Sequence, residues 1–164
     1  MYKDLWDEWH LDPRDYAKKI VAKGMNKPFY RIIASPTKYG ITLRFEDDNK
    51  NVVALTYPGY YTIYREYKGQ MECLYVGKTD MDVYSRVHRW CKAVAGKLRH
   101  DESHVGGTLA RDNGVKLKDK LFVKFIEMNE VYSIVDDELY LSWPLDEWIA
   151  PLLKSKYNTN ERYL

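Results

Sequence analysis

The chain has 164 residues and a mass of 19.5 kDa, with 45% hydrophobic residues, 30% charged residues and a formal net charge of +2. This length allows one sizeable core and fits one domain, and the composition excludes a disordered or low-complexity chain. The charge balance is too even to announce a polyanionic partner by itself, and no apolar run approaches the roughly 20 residues that would cross a bilayer.

The stretch DPRDYAKKIVAKG predicts a short amphipathic helix, with Asp12 as N-cap, Pro13 in the first turn and Gly24 at the stop. FYRIIAS, ITLRFED and NVVALTY read as strands, the last two joined by a hairpin turn at DDNKN. Pro58-Gly59 punctuates the chain. It divides an N-terminal extension of one helix and strands, residues 1–57, from a compact α/β unit, residues 58–164. YYTIYREY and ECLYVG then form an antiparallel hairpin about the Lys68-Gly69-Gln70 turn.

DVYSRVHRWCKAVAGK predicts a helix with Val87, Cys91 and Val94 on its buried stripe. Arg86 and Trp90, four apart, are expected on one flank, with His88 directed away. Residues 100–114 are Gly-rich and polar and read as a loop, and LFVKFIEM reads as a third strand of the unit. PLDEWIAPLLKSKYN closes the chain as a helix with Leu145, Ile149, Leu152 and Leu153 on one face, kinked or restarted at Pro151.

The two cysteines, Cys73 and Cys91, have no paired spacing, so neither a disulfide framework nor a zinc motif is expected, and the setting reads as reducing and cytoplasmic. The opening MYKDLWDEWHLD is acidic and aromatic, unlike the basic-then-apolar layout of a signal peptide. Charge is distributed in blocks. Arg86, Arg89, Lys92, Lys97 and Arg99 fall in a stretch without acids, whereas Glu127, Glu130, Asp136, Asp137, Glu138, Asp146 and Glu147 fall in a stretch without Lys or Arg. The blocks can attract each other, which is the simpler reading on charge alone, or divide work between a polyanion and a metal ion.

The order of motifs carries more. Gly59-Tyr60-Tyr61, then Tyr75-Val76-Gly77-Lys78-Thr79, then Arg86 on a helix, then an acidic residue followed by LLKSKYN and ending at Asn158, closely resemble the GIY-YIG nuclease superfamily over residues 58–164. The first motif stands as GYY and the second as YVG. The resemblance implies an α+β fold with a small three-stranded antiparallel sheet flanked by helices. It implies hydrolysis of a DNA phosphodiester bond with one divalent ion, Mg²⁺ or Mn²⁺, per active site.

Carried over by position, Tyr61 matches the first-motif tyrosine and candidate general base, and Tyr75 the second-motif tyrosine that orients water and phosphate. Lys78 follows the glycine of YVG, as a lysine does in the related incision domain of bacterial excision-repair nucleases. Arg86 matches the family arginine, and Asn158 the closing asparagine, more often an anchor than a catalytic group. The residue types suit the chemistry. A tyrosine hydroxyl near a cation is expected to have a lowered pKa and to accept a proton from water. A guanidinium stabilises the charge gathering on phosphorus, and a carboxylate holds the metal. Taken singly, the tyrosines read as strand residues, the arginines as a solvated helix face and the acids as helix-start residues. Their order and placement carry the functional reading.

Two departures from the family pattern bear on the site. Trp90 stands four residues after Arg86, where many members carry histidine or tyrosine, and tryptophan cannot accept a proton. His100 and His104 in the following loop are alternative sources of an imidazole. The metal ligand is open between Asp146, twelve residues before Asn158, and Glu147, the usual residue type one step on. The apolar positions Ile149 and Leu153 favour Asp146, the longer reach of glutamate favours Glu147, and Glu147 is slightly preferred; Glu138 is a more distant candidate.

On this reading Arg89, Lys92, Lys97, Arg99, Lys116, Lys118 and Lys120 grip DNA phosphates. Residues 1–57, with Trp6, Trp9, Phe29 and Tyr30, help select DNA or form a subunit contact. Double-strand cleavage by a one-site enzyme calls for two protomers or two encounters, so a homodimer is one of two arrangements that fit. The compact size suits a phage or restriction-type enzyme. The rival reading is a nucleic-acid-binding module of the same fold that has lost turnover, followed by a protein-interaction domain using the acidic block.

Overall fold

The computed structural model of the chain describes residues 13–134 and 145–158. Helix α1, Pro13–Gly24, buries Tyr16, Ala17 and Ile20, one face of a 3.6-residue period. The expected N-cap Asp12 and the aromatic Trp6 and Trp9 lie outside the described residues, as do Asp136, Asp137 and Glu138 of the acidic block.

Strands β1 (Tyr30–Pro36), β2 (Ile41–Glu46), β3 (Val52–Val53), β4 (Gly59–Tyr67), β5 (Gln70–Thr79) and β6 (Leu121–Glu127) form one sheet of order β3-β2-β1-β6-β4-β5. All neighbouring strands are antiparallel. The helices are α2 (Val83–Ala95), α3 (Val105–Asp112), α4 (Met128–Tyr132) and α5 (Asp146–Leu152). A mixed α+β fold is thus present, but the expected three-stranded sheet is corrected to six strands. Strands β4, β5 and β6 make one half, and β1 joins it through Tyr30–Val123 and Arg31–Phe122. Pairing over ninety residues of chain leaves no local signature, because period-two patterning marks a strand without marking its neighbour.

Two further expectations are corrected. NVVALTY is a strand only at Val52–Val53. Beyond it the carbonyls of Leu55 and Tyr57 accept the N–H groups of Tyr84 and Val83, so this segment satisfies the start of α2 instead of extending the sheet. The reading of residues 100–114 as a loop is also overturned, since they contain α3. A Cβ on Gly107 would stand 2.7 Å from Ala93 Cβ and 2.8 Å from the Trp90 carbonyl oxygen. The glycine is what lets α3 lie directly on α2, and this tertiary contact outweighs the weak helix propensity of Gly-Gly.

The sheet has a core on each face. On the first, Tyr61, Ile63, Leu74, Leu121 and Val123 pack beneath Val83, Val87, Trp90, Cys91 and Val94 of α2. On the second, Tyr60, Val76 and Ile126 pack beneath Ile20 of α1 and Ile149 and Ala150 of α5. Trp90 is 0% exposed. It is a core residue, not a flank neighbour of Arg86, which is exposed. Tryptophan buries more apolar surface than any other side chain, and α2 turns it inward with the valines. Among the described residues no helix is long and apolar enough to cross a membrane.

Candidate active site

The site is built on the β4–β5 hairpin. Tyr61 stands opposite Gly77, and Gly59 opposite Thr79. A Cβ on Gly77 would lie 2.4 Å from both Cζ and the hydroxyl oxygen of Tyr61. The Tyr61 ring therefore crosses over β5 at the glycine of YVG, and only a residue without a side chain admits it. The register passes from Ile63–Tyr75 to Tyr64–Cys73, leaving Leu74 as an extra residue in β5. This bulge lets both Leu74 and Tyr75 pack on the first face beside Tyr61.

The Tyr61 and Tyr75 ring centroids are 6.1 Å apart, and the two phenols influence each other's ionisation. The pair is asymmetric: Tyr61 is 2% exposed, while Tyr75 is only partly buried. A Cβ on Gly106 would come within 2.6 Å of two atoms of the Tyr75 ring, so α3 presents a bare backbone to that ring. His104, the N-cap of α3, accepts the Gly107 N–H at Nδ1, 3.0 Å away, and its ring meets Tyr75 edge-on at 5.0 Å. Burial, then Arg86 and Arg89, push His104 down to about 4, so the imidazole is neutral at physiological pH. With Nδ1 accepting, Nε2 carries the proton and is a donor.

Arg86 approaches from α2. It is exposed, and among the described residues no hydrogen bond or ion pair holds it. Its positive charge acts on Tyr61, Tyr75 and His104, lowering the pKa of each. Asp146 approaches from the other side at the start of α5, where the Leu145 N–H bonds the Tyr60 hydroxyl and ties the helix to β4. Its negative charge acts on Tyr60, Tyr61 and Tyr75. Asp146 is thus the carboxylate whose charge acts on both tyrosines, while Glu147, the preferred candidate, helps to raise the Asp146 pKa.

Burial pushes Asp146 up to about 6, with Glu147 adding to the rise and the helix-start N–H groups and Lys78 opposing it. Asp146 Oδ1 is buried and has no hydrogen-bond partner among the described residues. Such an orphaned oxygen is the kind of group a divalent cation satisfies. Mg²⁺ keeps several waters and takes only one or two carboxylates beside substrate phosphate, so a single buried carboxylate suits it. Among the described residues no group of three or more His, Cys, Asp or Glu is placed to form an all-protein metal cage.

The expected lowering of the Tyr61 pKa is corrected. Burial, the largest influence, together with Tyr75 and Asp146 raises it well above 10.0, and Arg86 opposes only in part. Tyr75 is raised as well, again by burial first. Both are phenols at neutral pH, able to donate to water or a phosphate oxygen.

Asn158 takes a scaffold position. Its Oδ1 accepts the Val76 N–H at 2.8 Å and its Nδ2 donates to the Val76 carbonyl at 2.7 Å. The Lys156 and Tyr157 N–H groups bond the carbonyls of Cys73 and Leu74. The closing segment thereby covers the free edge of β5 behind Tyr75 and Gly77. Lys78 lies 3.5 Å from Asp80, close enough to Asp146 to lower its pKa.

Of the expected DNA-binding cations, Arg89 and Arg99 are exposed on the α2 side and Lys97 is half-buried. Arg99 contacts Glu102 and Asp101. Lys92 is corrected: it is 9% exposed and bound to Glu102 at 2.6 Å, so it serves packing. Lys116 and Lys118 lie apart from the tyrosines, beyond the C-terminal end of α3. Two features were under-read in the sequence, the His104 cap and the Gly106 cradle. The pattern His-X-Gly-Gly beginning a helix was their signal. Compared with protein-family models, curated proteins and solved structures, the chain finds no significant match in any of the three.

Proposed function

We propose that the protein is a metal-dependent DNA endonuclease of GIY-YIG type. The observation that carries this reading is that one tyrosine pair feels both the charge of an unpaired guanidinium, Arg86, and that of Asp146, a carboxylate with a buried, orphaned oxygen among the described residues.

The residues divide the work of hydrolysis, in which water loses a proton to solvent as it attacks phosphorus, the bond to the 3′ oxygen breaks, and that leaving oxygen takes up a proton from solvent. Tyr75, half-buried where Tyr61 is buried, is the phenol that faces substrate and orients water or a phosphate oxygen. Tyr61 fixes Tyr75 from behind. Arg86, free of other partners, stabilises the negative charge that develops on phosphorus. His104 keeps a neutral N–H beside Tyr75 and can donate to a phosphate oxygen. Asp146 would hold Mg²⁺ or Mn²⁺. When bound, the ion neutralises charge on a phosphate oxygen and on the leaving oxygen.

The test is incubation of supercoiled plasmid with Mg²⁺ or Mn²⁺ for wild type, Tyr61→Phe, Arg86→Ala and Asp146→Ala. Nicking by wild type and none by the three variants supports the endonuclease. The protonated state of both phenols favours one rival, a binding module without turnover. Gel retardation of DNA with a steep salt slope and no nicking would establish that rival.

A further inference from the structure

Away from the tyrosines, between the β4–β5 turn and the loop that follows α3, lies an open cavity of about 420 Å³. Arg65, Tyr67, Lys116, Lys118 and Lys120 line it, against the acids Glu66 and Asp119. Arg65 is a strut, bonded to Glu72 at 2.6 Å and near Asp119 at 3.6 Å. Lys120 makes only a loose, exposed contact with Glu66 at 3.6 Å. Lys116 and Lys118 are exposed and have no ion pair among the described residues. Tyr67 is 50% exposed, with the Arg65 guanidinium 4.9 Å and the Lys68 ammonium 5.3 Å from its ring centroid. Free ammonium groups on an open groove match a nucleic-acid strand, whose phosphates seek the charge.

Two elements tie this groove to the active site. Strand β4 carries Tyr61 at one end and Arg65 toward the other, a separation of about 13 Å at the usual rise per strand residue. Helix α3 starts at the His104 cap and Gly106 beneath Tyr75 and ends at Asn113 and Gly114 on the groove, about 12 Å along its axis. The two paths agree.

We propose that the groove binds the strand flanking the scissile bond, through a phosphate about four nucleotides away, given roughly 3.4 Å of axis per nucleotide in a duplex. The substrate is then a nucleic acid that continues past the cut on that side. The inference rests on the endonuclease reading for its cleavage readout, while a binding readout tests the groove separately.

The experiment uses the full chain and a labelled DNA duplex, comparing wild type with the double variant Lys116→Ala/Lys118→Ala. Expected are a KM raised about tenfold or more with the loss absent from kcat, and a salt slope of binding smaller by about two. Neutral methylphosphonates placed singly along the strand should reproduce the loss at one or two positions on one side of the cut. At those positions they should add nothing in the double variant. Unchanged KM and salt slope in the double variant overturn the proposal, as do methylphosphonate losses that are equal on both sides or that persist in the variant. Should wild type nick nothing, the endonuclease reading fails and fluorescence anisotropy decides the groove alone: equal DNA affinity and slope in the variant overturn it too.

Discussion

Replacing Asp146 by asparagine separates function from stability at a single atom. In the folded protein its carboxyl holds a proton up to about 6, against 3.8 for an ordinary aspartate. The folded state therefore binds that proton more tightly than the unfolded state does. Stability falls as pH rises through this window, and the full penalty applies above it. A displacement of about two pH units corresponds to at most about 3 kcal/mol, and partial exposure reduces this to about 1–2 kcal/mol. Asparagine carries no charge, so Asp146→Asn should be the more stable protein at neutral and alkaline pH, melting higher by about 2–8 °C for a chain of this size. The gain should shrink as pH falls below about 6 and vanish near 3.8, where wild type is protonated as well. Mg²⁺ should raise the melting temperature of wild type and leave the variant unmoved, and the variant should not nick DNA. Thermal melts across pH, with and without Mg²⁺, read all of this. A variant less stable than wild type at neutral pH, or an equal Mg²⁺ response in both, would refute the assignment of a buried, cation-seeking carboxylate.

Four other outcomes are expected. Arg86→Ala should leave urea stability within about 0.5 kcal/mol, because the side chain is exposed and unpaired, yet lower the nicking rate about a hundred- to a thousandfold. Gly77→Ala should destabilise by about 1–3 kcal/mol and slow cleavage, since its methyl would meet the Tyr61 ring 2.4 Å away; equilibrium unfolding and nicking check this. Trp90→His should destabilise the fold by roughly 3–5 kcal/mol, read as a much lower urea midpoint, because it opens a cavity in the α2 core and strands a polar ring there. His104, held down to about 4 from 6.5, binds its proton less tightly when folded, so it removes stability as pH falls through that window; His104→Gln should flatten this part of the stability curve.

Much of the framework was legible from period and punctuation. The hairpin at Gly59–Thr79, the strand Leu121–Glu127 and the helix after Asp82 all follow local rules, with Asp82 accepting the Ser85 N–H as its cap and Gly96 closing the helix at φ 69. What lay beyond local rules was orientation. Four-residue spacing put Trp90 near Arg86, but a helix stripe is wide enough that the partner surface decides which residue turns inward. Lys92 looked like one more cation of a basic face until Glu102, ten residues on, reached it.

The sequence by itself determined which residues could take part in chemistry, two tyrosines, an arginine, a carboxylate and an asparagine in a set order, because residue type and short-range spacing are written in the chain. The tertiary structure alone decided that Trp90 and Lys92 turn inward, which tyrosine faces outward, and that the phenol pKa values are raised and not lowered. Those outcomes depend on burial and on charges brought together from distant segments, and desolvation exists only once the faces of the sheet are covered.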